Sequence, residues 1–374
     1  MRILIAPDKF KGSLTATEVC TSIREGILDA HPEFEIVTKP MADGGEGSVE
    51  LLRETLSLEP VPVLTQDPLG RPIKASYYRK GGSAFIEMAA ASGLDLLVEK
   101  DRNPMLTSSY GTGLMISHAF DSGVREISLF IGGSATNDGG MGVAAALGYR
   151  FLDQEGNELE PNGKNLGKVR TIERSRINTN LLQARIRVIC DVENPFHGPK
   201  GAAYIYAAQK GAAPQDIREL DEGLQSFAAV VKRELGIDLS DRKGAGAAGG
   251  LGGGSIAFLR AELIHGIDFM MDVLGVGEGI RSADLVITGE GKIDHQTLYG
   301  KVIAGIAGLA KKHNKPCLAF CGISELSEKE KNILGLMDII SMSGGRFSLE
   351  ESLSEPSRVL REVVGGYFSD QWPF

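Results

Sequence analysis

Five short apolar runs in this chain end in the same kind of segment. Arg2–Ala6 leads into Pro7-Asp8-Lys9-Phe10-Lys11-Gly12-Ser13, and Glu35–Pro40 into Ala42-Asp43-Gly44-Gly45-Glu46-Gly47. Glu126–Ile131 leads into Gly132-Gly133-Ser134-Ala135-Thr136-Asn137-Asp138-Gly139-Gly140. Arg185–Cys190 leads into Asp191-Val192-Glu193-Asn194-Pro195, and Asp284–Thr288 into Gly289-Glu290-Gly291-Lys292-Ile293-Asp294. Each segment joins a carboxylate to lysine, hydroxyl, asparagine or glycine. Those are the parts that phosphate chemistry needs. Glycines let backbone N–H groups approach anionic oxygens. Carboxylates hold Mg²⁺, which takes few protein ligands beside phosphate and water. Lysines offset charge on a transferring group, and an ionised Asp can orient an alcohol or accept its proton. One Gly-Gly turn with an Asp is ordinarily only a turn. Recurrence at the same end of several strands is the signal.

The elements that must carry these segments follow from periodicity. The chain opens strand, helix, strand, helix: a helix capped by Thr15 or Thr17 runs to about Asp29, and a second covers Gly47–Leu56. From about Val61 the texture changes to short strands at Val61–Leu64, Ile73–Arg79 and Ala84–Met88, the mark of antiparallel or mixed sheet. Helices are expected at Gly113–Ser122, after Gly140, at Pro214–Leu235 and, as one or two pieces, over Ser255–Leu274. The end returns to the opening pattern, with strands Asp284–Thr288, Cys317–Phe320 and Asp338–Met342 and helices Gly300–Lys312 and Pro356–Phe368. Apolar runs alternating with helices signal a parallel sheet covered on both faces. The expected fold class is therefore α/β: a doubly wound, Rossmann-like parallel-sheet domain built from both chain ends, residues 1–60 and 282–374, with an inserted mixed α/β domain over residues 61–281. The strand Glu126–Ile131 fits either sheet. Ligands of open parallel sheets bind outside the carboxyl ends of the strands.

Composition narrows the function class. The chain has 374 residues and a net charge of -9, with 42% hydrophobic residues and a mean hydropathy of -0.05. That fits a folded chain with a sizeable core. An acidic balance argues against nucleic acid and against an anionic lipid surface as partners. No apolar stretch approaches the ~18 residues of a membrane span, and the N-terminal run is too short for a signal-peptide core. The four cysteines, Cys20, Cys190, Cys317 and Cys321, form no CxxC pair. Reduced core thiols and a cytoplasmic location are expected. The 48 glycines are well above the usual ~7%.

Several familiar motifs fail. Lys164, Lys168, Lys292 and Lys301 each follow a glycine, but none precedes Ser or Thr, so there is no P-loop. Gly244-Ala245-Gly246-Ala247-Ala248-Gly249 matches GxGxxG, but Asp241-Arg242-Lys243 precedes it instead of an apolar strand. A hinge or close backbone packing explains it better than a dinucleotide. Ser134 is not in GxSxG, because Thr136 follows.

Taken in order, the segments around Asp8, Asp43, Gly132–Gly140, Asp191 with Asn194-Pro195, Gln209-Lys210-Gly211-Ala212, Gly244–Gly252 and Thr288-Gly289-Glu290-Gly291 resemble the type I glycerate kinase family. The resemblance spans nearly the whole chain. Lys9 stands where a serine is common, and Ala208 where a proline is common. The resemblance implies Mg²⁺-dependent transfer of a phosphoryl group from ATP to D-glycerate, giving 2-phosphoglycerate in preference to 3-phosphoglycerate, in the cleft between two α/β domains. It further implies Asp191, Lys11, Lys210 and Asp8 as catalytic groups. Gly132, Gly133, Ser134, Thr136, Asn137, Gly289, Glu290 and Gly291 would bind the cofactor. Asp43, Glu46, Asp191 and Asp294 would serve the metal. A homodimer is compatible with the chain. Rival readings are a kinase for another small sugar acid, a nucleotide-dependent oxidoreductase resting on Gly244–Gly249 alone, and a non-catalytic sensor of organic acids.

Overall fold

The structure is a computed structural model that describes residues 1–45, 47–298 and 301–370. Its strands are β1 (Arg2–Ile5), β2 (Glu35–Thr38), β3 (Glu59–Gln66), β4 (Pro72–Lys80), β5 (Ser83–Glu87), β6 (Glu126–Phe130), β7 (Arg150–Leu152), β8 (Thr171–Glu173), β9 (Arg185–Ile189), β10 (Glu262–Ile264), β11 (Leu285–Ile293), β12 (Cys317–Ser324) and β13 (Asp338–Ser341). They divide between two compact units. The first takes residues 1–51 and 266–374, the second residues 52–265. These divisions fall earlier in the chain than the change of sequence texture placed them. The helix Val276–Ser282 goes with the first unit because its Gly279 lies against Leu4 of β1.

The first unit is an all-parallel sheet in the order β13-β12-β11-β1-β2. Side chains alternate across a strand. Ile3 and Ile5 therefore share one face, where they pack with Val19, Ile23 and Ile27 of the helix Ala16–Ala30 and with Val359, Leu360 and Val364 of the helix Pro356–Asp370. Leu4 takes the other face, so both faces are covered and the unit is doubly wound. Thr15, not Thr17, caps the first helix. Its hydroxyl accepts the Glu18 N–H (3.2 Å) while the Glu18 carboxylate accepts the Thr15 N–H (2.8 Å), a reciprocal pair that Glu18 makes possible.

The second unit is a mixed sheet in the order β10-β9-β6-β5-β4-β3. Pairings β3–β4 and β4–β5 are antiparallel, whereas β5, β6, β9 and β10 run parallel. The strand at 126–130 thus belongs here. A separate antiparallel pair joins β7 to β8.

Two segments differ from expectation. Strand β11 does not stop at Thr288 but runs to Ile293, because β12 continues beside it, pairing Lys292 with Ile323 and Ile293 with Ser324. The helix expected to begin at Ser255 begins at Ala247 and turns through left-handed conformations at Ala248, Gly249 and Gly250. A Cβ on Gly249 would lie 2.0 Å from the Thr136 carbonyl oxygen, so the run serves close backbone packing. Arg260 ends that helix with φ 56, and β10 follows where a continuous helix was one option. Among the described residues no helix is long and apolar enough to cross a membrane.

Two glycines test the packing of the first unit. Gly26 sits in the helix Ala16–Ala30, where an added Cβ would meet the Arg361 carbonyl oxygen at 2.5 Å and Val364 at 2.8 Å. Gly308 sits in the helix Val302–Lys312 with open space around it. Gly308→Ala should raise stability by about 0.5–1 kcal/mol from helix propensity. Gly26→Ala should lower it by about 1–3 kcal/mol, because overpacking outweighs the same gain. Urea unfolding of both variants measures the difference in sign.

Candidate active site

In the first unit the chain steps from β1 to β2 on one side and from β11 to β12 and β13 on the other. The order reverses between β1 and β11, and a crevice must open there at the carboxyl edge. The structure has a cleft of about 550 Å³ there, lined by Asp8, Lys9, Lys11, Asp43, Gly45, Glu290, Asp294 and Lys301 among others. Asp8 follows β1, held by its N–H to the Gly289 carbonyl (2.8 Å). Its carboxylate accepts the Lys9 N–H at 2.7 Å. Asp43 follows β2, and its carboxylate accepts the Gly45 N–H at 3.0 Å. Its backbone rests on Gly266, where a Cβ would lie 2.1 Å from the Asp43 carbonyl oxygen. Glu290 projects from β11. The Thr297 hydroxyl donates to it, and the same hydroxyl oxygen accepts the Asp294 N–H at 3.2 Å. Thr297 thus fixes both carboxylate-bearing residues of this turn.

The carboxylates feel one another. Burial pushes Asp8 up to about 7, and the charges of Asp43 and Glu290 add to the rise, against the Lys9 N–H and ammonium. Burial also raises Glu290, helped by Asp294 and Asp43 and opposed by the Thr297 hydroxyl and Lys301. Carboxylates raised chiefly by burial, with neighbouring carboxylate charge adding to the rise, are stabilised by a cation brought among them. Among the described residues, no three carboxylate, histidine or cysteine side chains are close enough to hold a metal alone. Mg²⁺ needs only one or two carboxylates when phosphate oxygens complete its shell. The donor set therefore fits a phosphate-borne Mg²⁺.

The second unit has a different arrangement. Gly132 and Gly133 form an exposed tip after β6, and the chain then turns inward, so that Ser134, Thr136, Asn137 and Asp138 are buried. Lys210, only 2% exposed, donates to the Ser134 hydroxyl and to the Thr136 carbonyl, both at 2.7 Å. Burial lowers its ammonium to about 7, and the Asp138 charge opposes the fall. Asp138 accepts four hydrogen bonds: from the Ser109 N–H and hydroxyl (2.7 Å each) and from the Gly140 and Gly142 N–H groups (3.1 Å each). Both polar atoms of the Asn137 amide and the Thr136 hydroxyl have no partner among the described residues. Such groups are costly unless a ligand or water meets them.

The expected site residues thus fall into two sets. Asp8, Lys11, Asp43, Glu290, Gly291 and Asp294 line the cleft of the first unit. Gly289 and Gly291 lie within β11, where an added Cβ would meet the Phe320 carbonyl oxygen at 2.3 Å and the Lys11 N–H nitrogen at 3.1 Å. Gly132, Gly133, Ser134, Thr136, Asn137 and Lys210 gather in the second unit. Asp191 is there too, at the carboxyl edge of β9: Ile189 pairs with Phe130 two residues before Asp191 and Gly132. Its side chain is 45% exposed, 3.9 Å from the His265 ring. Glu46 lies outside the described residues.

The family description of the Glycerate kinase family matches residues 3–368. A glycerate kinase of Halalkalibacterium halodurans is 42% identical over 97% of this chain and 96% of its own length. A glycerate 2-kinase of Escherichia coli is 46% identical over 86% of this chain and 85% of its own. The crystal structure of a putative glycerate kinase 2 from Salmonella typhimurium superposes with a TM-score of 0.87, at 42% identity, covering 99% of this chain and 97% of that one. This chain belongs to the glycerate kinase family. It is therefore a kinase, on an α/β scaffold shared with that structure.

Sequence reasoning gave no role to three residues that shape this kinase's sites. Lys301 was weighed only as a failed P-loop lysine, yet it lines the cleft and opposes the rise of Glu290. Thr297 and Asp138 position others. An Asp flanked by Ser-Ala-Thr-Asn and Gly-Gly carries a turn signal, but its Ser109 partner is distant in sequence.

The raised Asp8 has a consequence for stability. Its folded value of about 7 exceeds the 3.8 of an ordinary aspartate. The folded chain holds a proton that the unfolded chain has released, so this group's contribution falls as pH rises through that window. Asp8→Asn in chelator-containing buffer should melt above wild type at about pH 8, with the gap shrinking toward about pH 4. A variant that melts below wild type at the higher pH contradicts the account.

Proposed function

We propose that this kinase transfers the γ-phosphoryl group of ATP, with Mg²⁺, to the 2-hydroxyl of D-glycerate. The observation that carries the reading is the near-full-length likeness to relatives named for glycerate phosphorylation, one of them a glycerate 2-kinase. The local chemistry supports it. Asp43 and Glu290 would hold Mg²⁺, which supplies neutralising charge at the phosphate oxygens. Lys11 and Lys301 add fixed positive charge on the same cleft. Phosphoryl transfer asks little covalent work of a protein and depends on such placement of charge.

The acceptor is a small anion. Lys210 fixes Ser134 by donating to its oxygen, which leaves the hydroxyl proton free to donate to a carboxylate. The unpartnered Asn137 amide adds donor and acceptor capacity in the same buried segment. Asp191 stands exposed at the same sheet edge and can orient the reacting hydroxyl or accept its proton. A different sugar acid as acceptor is the reading to test against, because these groups recognise a carboxylate and a hydroxyl without counting carbons.

Incubation with Mg-ATP and D-glycerate, followed by phosphorus NMR, should give 2-phosphoglycerate. Formation of the 3-isomer, or turnover only with longer sugar acids, replaces this reading. Because Asp191 is exposed, Asp191→Asn should leave the melting temperature unchanged and lower kcat by about 10²–10⁴-fold, the usual range for losing a proton-transfer group. Turnover near normal removes Asp191 from the mechanism.

A further inference from the structure

The cleft of the first unit is chemically two-ended, and the sheet order explains why. Its charged residues come from the ends of β2, β1 and β11; its other end is built from β12, β13 and the helix Leu349–Ser354 that follows. That second end presents Ile323, Met342, Leu349 and Leu353. Leu349 and Leu353 are 51% and 62% exposed, one helical turn apart on the same face. Ser352 also lines it, but its hydroxyl is bonded to the Ser348 carbonyl at 2.9 Å. The cleft thus joins an apolar shelf to a cationic and acidic head along one sheet edge.

A three-carbon acid does not match this shape. It would extend over roughly one strand spacing and has no apolar surface to bury. A cleft of about 550 Å³ suits a ligand several times larger. Exposed leucines lining a pocket mark apolar contact with an occupant. The occupant must carry a flat, apolar group at one end and a polyanion at the other.

We infer that the first unit binds the nucleotide, with its base seated on Leu349, Leu353, Ile323 and Met342 and its phosphates directed to Lys11 and Lys301 and, through Mg²⁺, to Asp43 and Glu290. This rests on the reading of the chain as an ATP-dependent kinase, and of the two segments expected to bind the cofactor it keeps Gly289–Gly291 and moves the nucleotide away from Gly132–Asn137. The Ser134–Lys210 group is left for the acid.

The test uses 8-azido-ATP with Mg²⁺ on the full chain, irradiation and peptide mapping, with and without excess ATP. The label should fall on peptides containing residues 323–353, and excess ATP should suppress it. ATP-suppressible label on 132–140 or 244–254 overturns the proposal. Leu349→Ser and Leu353→Ser provide the second arm, since both side chains are exposed and their loss spares the core. Each should raise KM for ATP about 5–10-fold, in line with lost apolar contact, and leave KM for the acid unchanged. A KM for ATP within about two-fold of wild type in both, or a change confined to the acid, overturns the inference. The label is read whether or not glycerate is phosphorylated, so a wrong base site and a wrong reaction give separate failures.

Discussion

Negative charge crowded onto one sheet edge is the constraint around which the first unit is arranged. Adjacent strands are about 4.8 Å apart; of three that are side by side, Asp8 and Asp43 follow β1 and β2, and Glu290 projects from β11. Burial raises Asp8 to about 7, and the charges of Asp43 and Glu290 add to that rise. Lys9, Lys11, Lys292 and Lys301 line the same cleft and offset that charge. A cleft in this condition gains most from a ligand that brings cationic charge with its own oxygens. The hydrophobic layers beneath, Ile3 and Ile5 on one face and Leu4 on the other, hold the edge rigid so that the carboxylates cannot move apart.

The second unit has the opposite arrangement. There a cation, Lys210, is buried, and neutral oxygens of Ser134 and Thr136 receive it. Isolated burial of an ammonium is expensive, and Asp138 offsets part of the cost by its charge. Asp138 is in turn held by four donors, two from Ser109 and two from the backbone of Gly140 and Gly142 at the start of the helix Met141–Ala146. This chain of dependence fixes the backbone of the 134–138 segment and therefore the direction of the Ser134 hydroxyl. Gly249 lets the neighbouring helix approach Thr136 and Asn137, and Gly254 lets it approach Gly139 and Gly140, without a Cβ between backbones.

Periodicity made the layers legible, since a run such as Arg2–Ile5 can bury both faces only in a covered parallel sheet. The helix Pro214–Leu235 was readable to the residue because proline starts it and Gly236, in the left-handed conformation, ends it. The cluster of Asp8, Asp43, Glu290 and Asp294 was legible too, because the carboxyl ends of parallel strands must share an edge. Partners far apart in the chain were not. Nothing near Asp138 announces Ser109, and nothing near Lys210 announces that its ammonium is buried against Thr136. Those depend on how elements pack, which local pattern does not encode.

Glycine was the most misleading letter, and the reason is physical. Flanking glycines around Glu290 read as a cofactor-binding segment beyond the strand end, yet they sit in a strand paired along its length with β12. The space a side chain at 289 would need is filled by the Phe320 carbonyl, and at 291 by the backbone of Phe10 and Lys11. Strand alternation then sends Glu290 to the other face. The two glycines let the segment after β1 lie close against β11, and that close approach brings Asp8 and Glu290 into one cleft. One contribution they make to the chemistry is the separation of two carboxylates, set by backbone packing.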